Sequence, residues 1–187
     1  MTFEYTANSN LVVTLSEAKQ QLRLEDSFTD ENDLLTAYIK AATSIAEKYC
    51  SRFFLDTAVS MYLDTFPSDE AIKLYKGNLS SITSVTYLDE DSAAQTWDSS
   101  KYDTDIVSIP ARIFPKSDES YPSDDGSLNN VKVIYNVGWD APGSVPEDIK
   151  IAIKLILSQM YVEREDGLFR INSTARTYLN PYRLKYL

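Results

Sequence analysis

Carboxylates are the residues in this chain whose spacing could support chemistry. Asp89 and Asp91, Asp103 and Asp105, and Asp124 and Asp125 form close pairs, and two carboxyls at a set separation are all that glycoside hydrolysis requires. A chain of 187 residues with 28 acids contains such pairs by chance, so turn formation and solvation account for them. Asp124-Asp125-Gly126 could contribute to a calcium loop, but it lacks the alternating oxygen ligands and closing glutamate of an EF-hand. No glycine-rich phosphate loop and no nucleophile elbow is present.

Histidine is absent and Cys50 is the single cysteine. That excludes disulfides within the chain, cysteine and histidine zinc sites, and any mechanism built on a histidine base. Cys50 falls at the end of a helical pattern and reads as a small buried apolar residue. The expectation is therefore no catalytic residue, no metal and no cofactor. An acid-based hydrolase acting on cell-wall sugar remains the enzymatic alternative, to be decided by turnover that is lost on changing Asp103 or Asp105 to asparagine.

The elements that would position these residues are legible in the apolar pattern. Ser144 to Asp166 carries the longest apolar run, with Ile149, Ile153, Ile156 and Met160 at steps of three and four, flanked by Ala152, Leu155, Leu157 and Tyr161. Ser144 as N-cap, Pro146 and Glu147 predict a helix start there, and Gly167 its end. A helix apolar on so much of its circumference is packed on more than one side. Thr14 to Leu22 predicts a short helix with a Thr14–Glu17 capping box. Asp30 to Tyr49 predicts a longer one, with Leu34, Leu35, Tyr38, Ile39, Ala42, Ile45, Ala46 and Tyr49 as its stripe.

Between Leu55 and Trp139 the period shifts to two: Val59, Met61 and Leu63 alternate with polar residues, Ile82, Val85, Tyr87 and Leu88 sit among threonines and serines, and Val131, Val133 and Tyr135 alternate with Lys132 and Ile134. Turn chemistry separates these strands. Pro115 to Asn130, rich in acids and serines, reads as a mobile loop. The predicted fold class is α+β: a core of three main helices with an inserted antiparallel β-sheet and a flexible C-terminal tail. Residues 1–166 form one domain and residues 167–187 the tail.

Net charge is -10, but unevenly spread. Residues 167–187 hold Arg170, Arg176, Arg183 and Lys185 and no acid, while residues 1–166 hold 14 bases against 28 acids, a net of -14. Such a body repels a phosphate backbone. The tail places Arg170, Arg176, Tyr178, Leu179, Pro181, Tyr182 and Arg183 close together, residue types enriched at interface hot spots, which predicts a docking peptide that orders on a partner. Met1 to Val13 shows no secretion signal and no run reaches transmembrane length, so a soluble, cytoplasmic product without membrane contact is expected.

With these residues in view the chain resembles the head-tail connectors of tailed bacteriophages, the portal adaptors also catalogued as putative DNA-packaging or head-completion proteins. The N-terminal likeness runs from Val13 through Gln21-Leu22-Arg23 to Ala46-Glu47-Lys48-Tyr49-Cys50-Ser51-Arg52, with Leu24 where the family often has glycine. The central likeness is Ile82 to Asp89; the strongest is Val131 to Gly138, running into Val145-Pro146-Glu147-Asp148-Ile149 and ending Tyr161-Val162-Glu163-Arg164-Glu165. Leu179-Asn180-Pro181-Tyr182-Arg183 resembles the closing motif.

The resemblance implies a non-enzymatic virion protein at the head-tail interface, made in the host cytoplasm. Its copies, commonly twelve, would form a ring beneath the portal protein and receive a stopper or tail-completion protein. Double-stranded DNA would pass through the ring without specific binding. The C-terminal segment would reach the portal. A tail-completion or terminase-associated DNA-packaging factor is the alternative within the virion.

Overall fold

The computed structural model describes residues 1–6, 8–164 and 170–185. The chain resolves into two compact units. One comprises Met1–Asn8 and Asp56–Trp139 and is all β; the other comprises Ser9–Leu55 and Asp140–Lys185 and is helical.

The β unit holds eight strands: β1 (Thr2–Tyr5), β2 (Thr57–Leu63), β3 (Ile72–Leu74), β4 (Leu79–Leu88), β5 (Ala94–Thr96), β6 (Tyr102–Asp105), β7 (Ala111–Pro115) and β8 (Val131–Val137). Five form an antiparallel sheet in the order β1-β2-β8-β4-β5, and β3-β7-β6 form a second, three-stranded one. Alternation decides which face is buried. Val59 and Met61 of β2, Val133 and Tyr135 of β8 and Val85 of β4 point inward, with Met61 opposite Val133 and Val133 opposite Val85. Ile72, Leu74, Ala111 and Ile113 form the buried face of the small sheet.

An aromatic cluster ties the sheets together. Trp97, just past β5, lies 4.7 Å from Tyr102 of β6, and Phe66 packs at 5.4 Å on both Tyr87 of β4 and Tyr121. Tyr121 belongs to the long segment after β7, where a mobile loop is expected. It is instead fastened: Asp124 accepts from Thr65 Oγ1 and the Phe66 amide, each at 2.9 Å, and Asn129 N donates to Asp64 at 2.9 Å.

The helical unit contains α1 (Leu15–Leu22), α2 (Asn32–Cys50), α3 (Glu147–Val162) and α4 (Ser173–Leu179). The Thr14–Glu17 capping box is present in full. α2 buries Leu35, Ile39, Ala42 and Ala46; α3 buries Ile149, Ile153, Ile156 and Leu157.

α3 starts later than the Ser144 cap predicts. Ser144 closes a 3-10 turn, Pro142–Ser144, and the helix begins after Pro146. The proline ring disfavours helical backbone at the preceding residue, so Val145 is extended and Ser144 cannot cap. Glu147 makes no capping box; it accepts from the Lys150 ammonium at 2.8 Å. At its other end α3 stops at Val162, and residues 165 and 166 of the expected helix lie outside the described residues.

The expected fold class needs correction. The core is not built of three helices: α4 is a fourth, packed on α2 and α3 with Ala175 and Leu179 fully buried. Nor is the C-terminal segment from Arg170 to Lys185 a flexible tail. Asn172 caps α4 by accepting from the Ala175 amide at 2.7 Å, and Leu184 N donates to Cys50 O at 2.9 Å. The inserted sheet is two sheets of five and three strands, and the larger recruits an N-terminal strand, β1, absent from the expectation.

α1 ends on Arg23, which adopts the left-handed conformation (φ 58°) and donates its amide to Gln20 O. Arg23 is exposed, so its side chain contributes little packing. Arg23→Gly is expected to stabilise the protein by about 1 kcal/mol by removing the Cβ penalty of that backbone region, read as a raised thermal midpoint.

Candidate interaction surfaces

The carboxylates bind backbone and neighbouring side chains rather than facing one another across a cleft. Asp89 accepts from the Asp91 and Ala93 amides and from Gln95. Asp125 accepts from Ser127 N, Ser92 Oγ and Asn130 Nδ2. These hydrogen bonds hold both carboxyls below the usual range, that from Ala93 acting most on Asp89 and that from Ser127 on Asp125. A general acid needs the opposite shift. Asp103 and Asp105 lie two residues apart on β6 and so share one face of the strand. Asp105 is held well below the carboxylate range, chiefly by the Ser108 hydroxyl and then by Arg112. Among the described residues no three histidine, cysteine or carboxylate groups are placed to hold a metal ion. No described helix is long and apolar enough to cross a membrane.

Of the stretches that carry the family resemblance, Ile82 to Asp89 and Val131 to Gly138 fall along β4 and β8 in the β unit, while Gln21, Leu22, Arg23, Pro146, Tyr161 and Arg164 lie in the helical unit. Gln21 Nε2 donates to Ser158 Oγ at 3.2 Å, linking α1 to α3. Leu22 is half-buried at the end of α1, and Arg23 makes the left-handed turn after it. Pro146 sets the start of α3. At the far end of α3 the Tyr161 hydroxyl donates to Glu31 at 2.6 Å, and Arg164 donates to both Glu31 oxygens at 3.0 and 3.1 Å while lying over the Tyr161 ring. Glu31 precedes α2. Its carboxyl is held low, first by the Tyr161 hydrogen bond and then by Arg164, and because it is so engaged it does not cap α2.

The C-terminal cluster is divided by α4 into an inner and an outer face. Leu179 is fully buried and serves as an anchor. Arg170, Arg176, Pro181 and Arg183 are exposed, and Tyr178 and Tyr182 half-buried. The turn after α4 is clasped by the end of α2: Tyr49 Oη donates to Asn180 Oδ1 at 2.6 Å, Arg52 Nη1 to Tyr182 O at 3.3 Å, and Arg183 lies 5.1 Å over the Tyr49 ring. Cys50 is buried beneath this turn, its thiol pushed up to about 11 by burial.

Two further surfaces escape sequence reasoning, both in the β unit. The β6–β7 turn exposes Ile106, Val107 and Ile109 at 63%, 88% and 61%. Asp105 stiffens it by accepting from Val107 N, Ser108 N, Ser108 Oγ and the Arg112 guanidinium. A second feature is a groove of about 660 Å³ lined by Phe66, Phe114 and Tyr121 together with polar groups that include Ser68, Asp69 and Glu119. The Ile-Val-Ser-Ile-Pro run was the available signal for the turn. The groove had none, because its walls come from separated segments.

The fold is shared with chains of solved gene transfer agent particles. A chain in the neck of an empty gene transfer agent particle, computed with C6 symmetry, matches with TM-score 0.83 at 16% identity, covering 100% of this chain and 97% of that one. A chain of the virion of the native particle matches with TM-score 0.83 at 17% identity and the same coverage. One from the native particle's neck, computed with C12 symmetry, gives 0.75 at 15%. No curated protein matches the chain. The sequence profile of the phage gp6-like head-tail connector proteins matches residues 12–106, which take in α1, α2 and the sheet as far as β6. Spanning just over half of its residues, that match places this chain in the phage gp6-like head-tail connector family.

Proposed function

We propose that this protein is a non-enzymatic adaptor at the head-tail interface of a tailed phage or phage-like particle. Twelve copies form a ring beneath the portal protein, extend the DNA channel and receive a stopper or tail-completion protein. The observation that carries this reading is the family membership joined to a fold held along the whole chain in common with chains from gene transfer agent necks computed with C6 and C12 symmetry. The acidic body supports it: a net of -14 over residues 1–166 suits a conduit through which a phosphate backbone slides without sticking.

The outer face of the C-terminal segment is the portal-docking surface in this reading. Arg170, Arg176 and Arg183 pair with portal carboxylates, Tyr178, Pro181 and Tyr182 supply apolar contact, and Leu179 holds the segment in place from within. Mixing the purified protein with its cognate portal ring and measuring mass tests the assembly: growth from small species to a ring on the portal is expected, and its absence overturns the reading. The double change Arg170→Glu and Arg176→Glu should weaken co-sedimentation with the portal at least tenfold while lowering the thermal midpoint by no more than about 3 °C. Undiminished binding would remove the docking role from this face.

A further inference from the structure

The exposed β6–β7 turn and the aromatic groove lie at opposite ends of one short hairpin. β7 runs from Ala111 beside the turn to Pro115 in the groove wall, about 14 Å of strand. Three large aliphatic side chains exposed together on a turn that Asp105 holds rigid are a costly display in water unless something covers them. The groove at the other end is concave; Phe114, 47% exposed, and Tyr121 give it an aromatic part, while serines and acids line the larger share of its surface. Its volume has room for several side chains.

Charge distinguishes the two ends. On the outer face of the small sheet, beside the aliphatic turn, Lys73 and Arg112 are exposed and directly opposite each other in register. Arg112 is bonded to Asp105, and Lys73 adds a further positive charge to that end. The groove carries the exposed acids Asp69, Glu90 and Glu119 on its rim, Glu119 lying 3.7 Å from Lys101. An aliphatic projection with the Lys73 charge beside it, and a recess with aromatic rings and an acidic rim, are complementary to each other. Turn against turn would instead bring Lys73 of one copy toward that of another, Arg112 being compensated by Asp105, and would leave the acidic rim of the recess unmatched, which disfavours a two-fold pairing. Projection into recess is heterologous, and a heterologous contact that closes on itself makes a ring.

We propose that the Ile106–Pro110 turn of one copy seats in the Phe66–Tyr121 groove of the next, so that this pair of surfaces is a subunit contact of the ring. The proposal rests on the adaptor reading above and adds to it the segment by which neighbours meet.

Disulfide trapping tests it, and the background is clean because the native Cys50 is buried. Val107→Cys combined with Ser68→Cys, on the groove wall, is to be oxidised at high protein concentration and again on portal rings. A ladder of covalent dimers, trimers and larger species on a non-reducing gel is expected, with neither single variant producing species beyond dimer. Val107→Asp should lower ring formation at least tenfold. If the unsubstituted protein forms rings while the double variant gives no ladder, the contact is wrong and the adaptor reading stands. If the Val107→Cys single variant alone dimerises efficiently, the turns meet each other and the proposal falls. If Val107→Asp spares the ring but abolishes capture of a stopper protein, the turn faces that partner instead. If the unsubstituted protein forms no ring at all, both readings fall.

Discussion

Leu179→Ala is expected to destabilise the protein by about 3 kcal/mol, lowering the thermal midpoint by roughly 10 °C. The reasoning is local. Leu179 is fully buried in the last turn of α4, one helical turn after the equally buried Ala175, and truncating a buried leucine removes its transfer energy and leaves a cavity. Residues at such spacing share a face, so the exposed Arg176 lies on another. Arg176→Glu should lower the midpoint by no more than about 3 °C, since the side chain is exposed and reversing one charge in the last turn of a helix costs about 1 kcal/mol or less. A large loss at 179 beside a small one at 176 distinguishes a fourth helix with an inner anchor and an outer charged face from a peptide that orders only on a partner, for which neither change would move the melt. Thermal melts of the two variants, followed by far-ultraviolet circular dichroism, decide it. Deleting the whole segment would expose the α2 and α3 surfaces that α4 covers, so point substitutions are the sound way to test its docking role.

What the sequence revealed about this region, and what it hid, follows from helix length. α2 and α3 repeat their apolar residues over 19 and 16 residues, enough turns for periodicity to stand out against chance. α4 has 7 residues and two inward positions, Ala175 and Leu179, and its cap at Asn172 resembles any polar turn. The visible signal there was charge, which describes the outer face alone. β1 was hidden for a similar reason: Thr2–Tyr5 has one half-buried position, Phe3, and is a strand because β2 offers it an edge. β8 and the middle of β2 alternate cleanly because both neighbours and the core constrain them, so they were legible. The family motifs were legible as a resemblance, but their physical meaning was not. Tyr161 and Arg164 matter here through Glu31, which is 130 and 133 residues away, and a separation of that kind leaves no local trace.

The acids show a related limit. Counting 28 of them says that turns and solvation are the default, and Asp89, Asp105, Asp124 and Asp125 do serve as hydrogen-bond acceptors within turns and between segments. The adaptor reading depends on that use. A scaffold that must guide a polyanion keeps its negative charges ionised, and Asp89, Asp105 and Asp125 are held ionised by the hydrogen bonds they accept.

Glu47 is the exception, and it yields the second large effect. It lies on α2 one turn before the helix ends, accepts from the Phe54 amide at 2.8 Å, and its carboxyl is pushed up from 4.5 to about 7 by burial, the amide hydrogen bond offsetting only part of that. The sign follows from linkage. The unfolded chain loses this proton near pH 4.5, whereas the folded chain keeps it until about pH 7, so the stability that protonated Glu47 contributes is complete below pH 4.5 and lost as pH rises through 7. Allowing for partial exposure, the loss is on the order of 2 kcal/mol. Glu47→Gln keeps an oxygen for the Phe54 amide and removes the ionisation. The variant should match the parent near pH 4.5 and exceed it by about 2 kcal/mol at pH 8. The neighbouring Cys50 thiol, pushed up to about 11, stays neutral throughout that window and does not contribute. Denaturant unfolding of both proteins at the two pH values measures the difference directly, with the titrations of all other groups cancelling between them. Equal stability of the two proteins at pH 8 would mean that Glu47 ionises without penalty, and that the Phe54 amide hydrogen bond, not burial, dominates where α2 hands the chain on to the sheet.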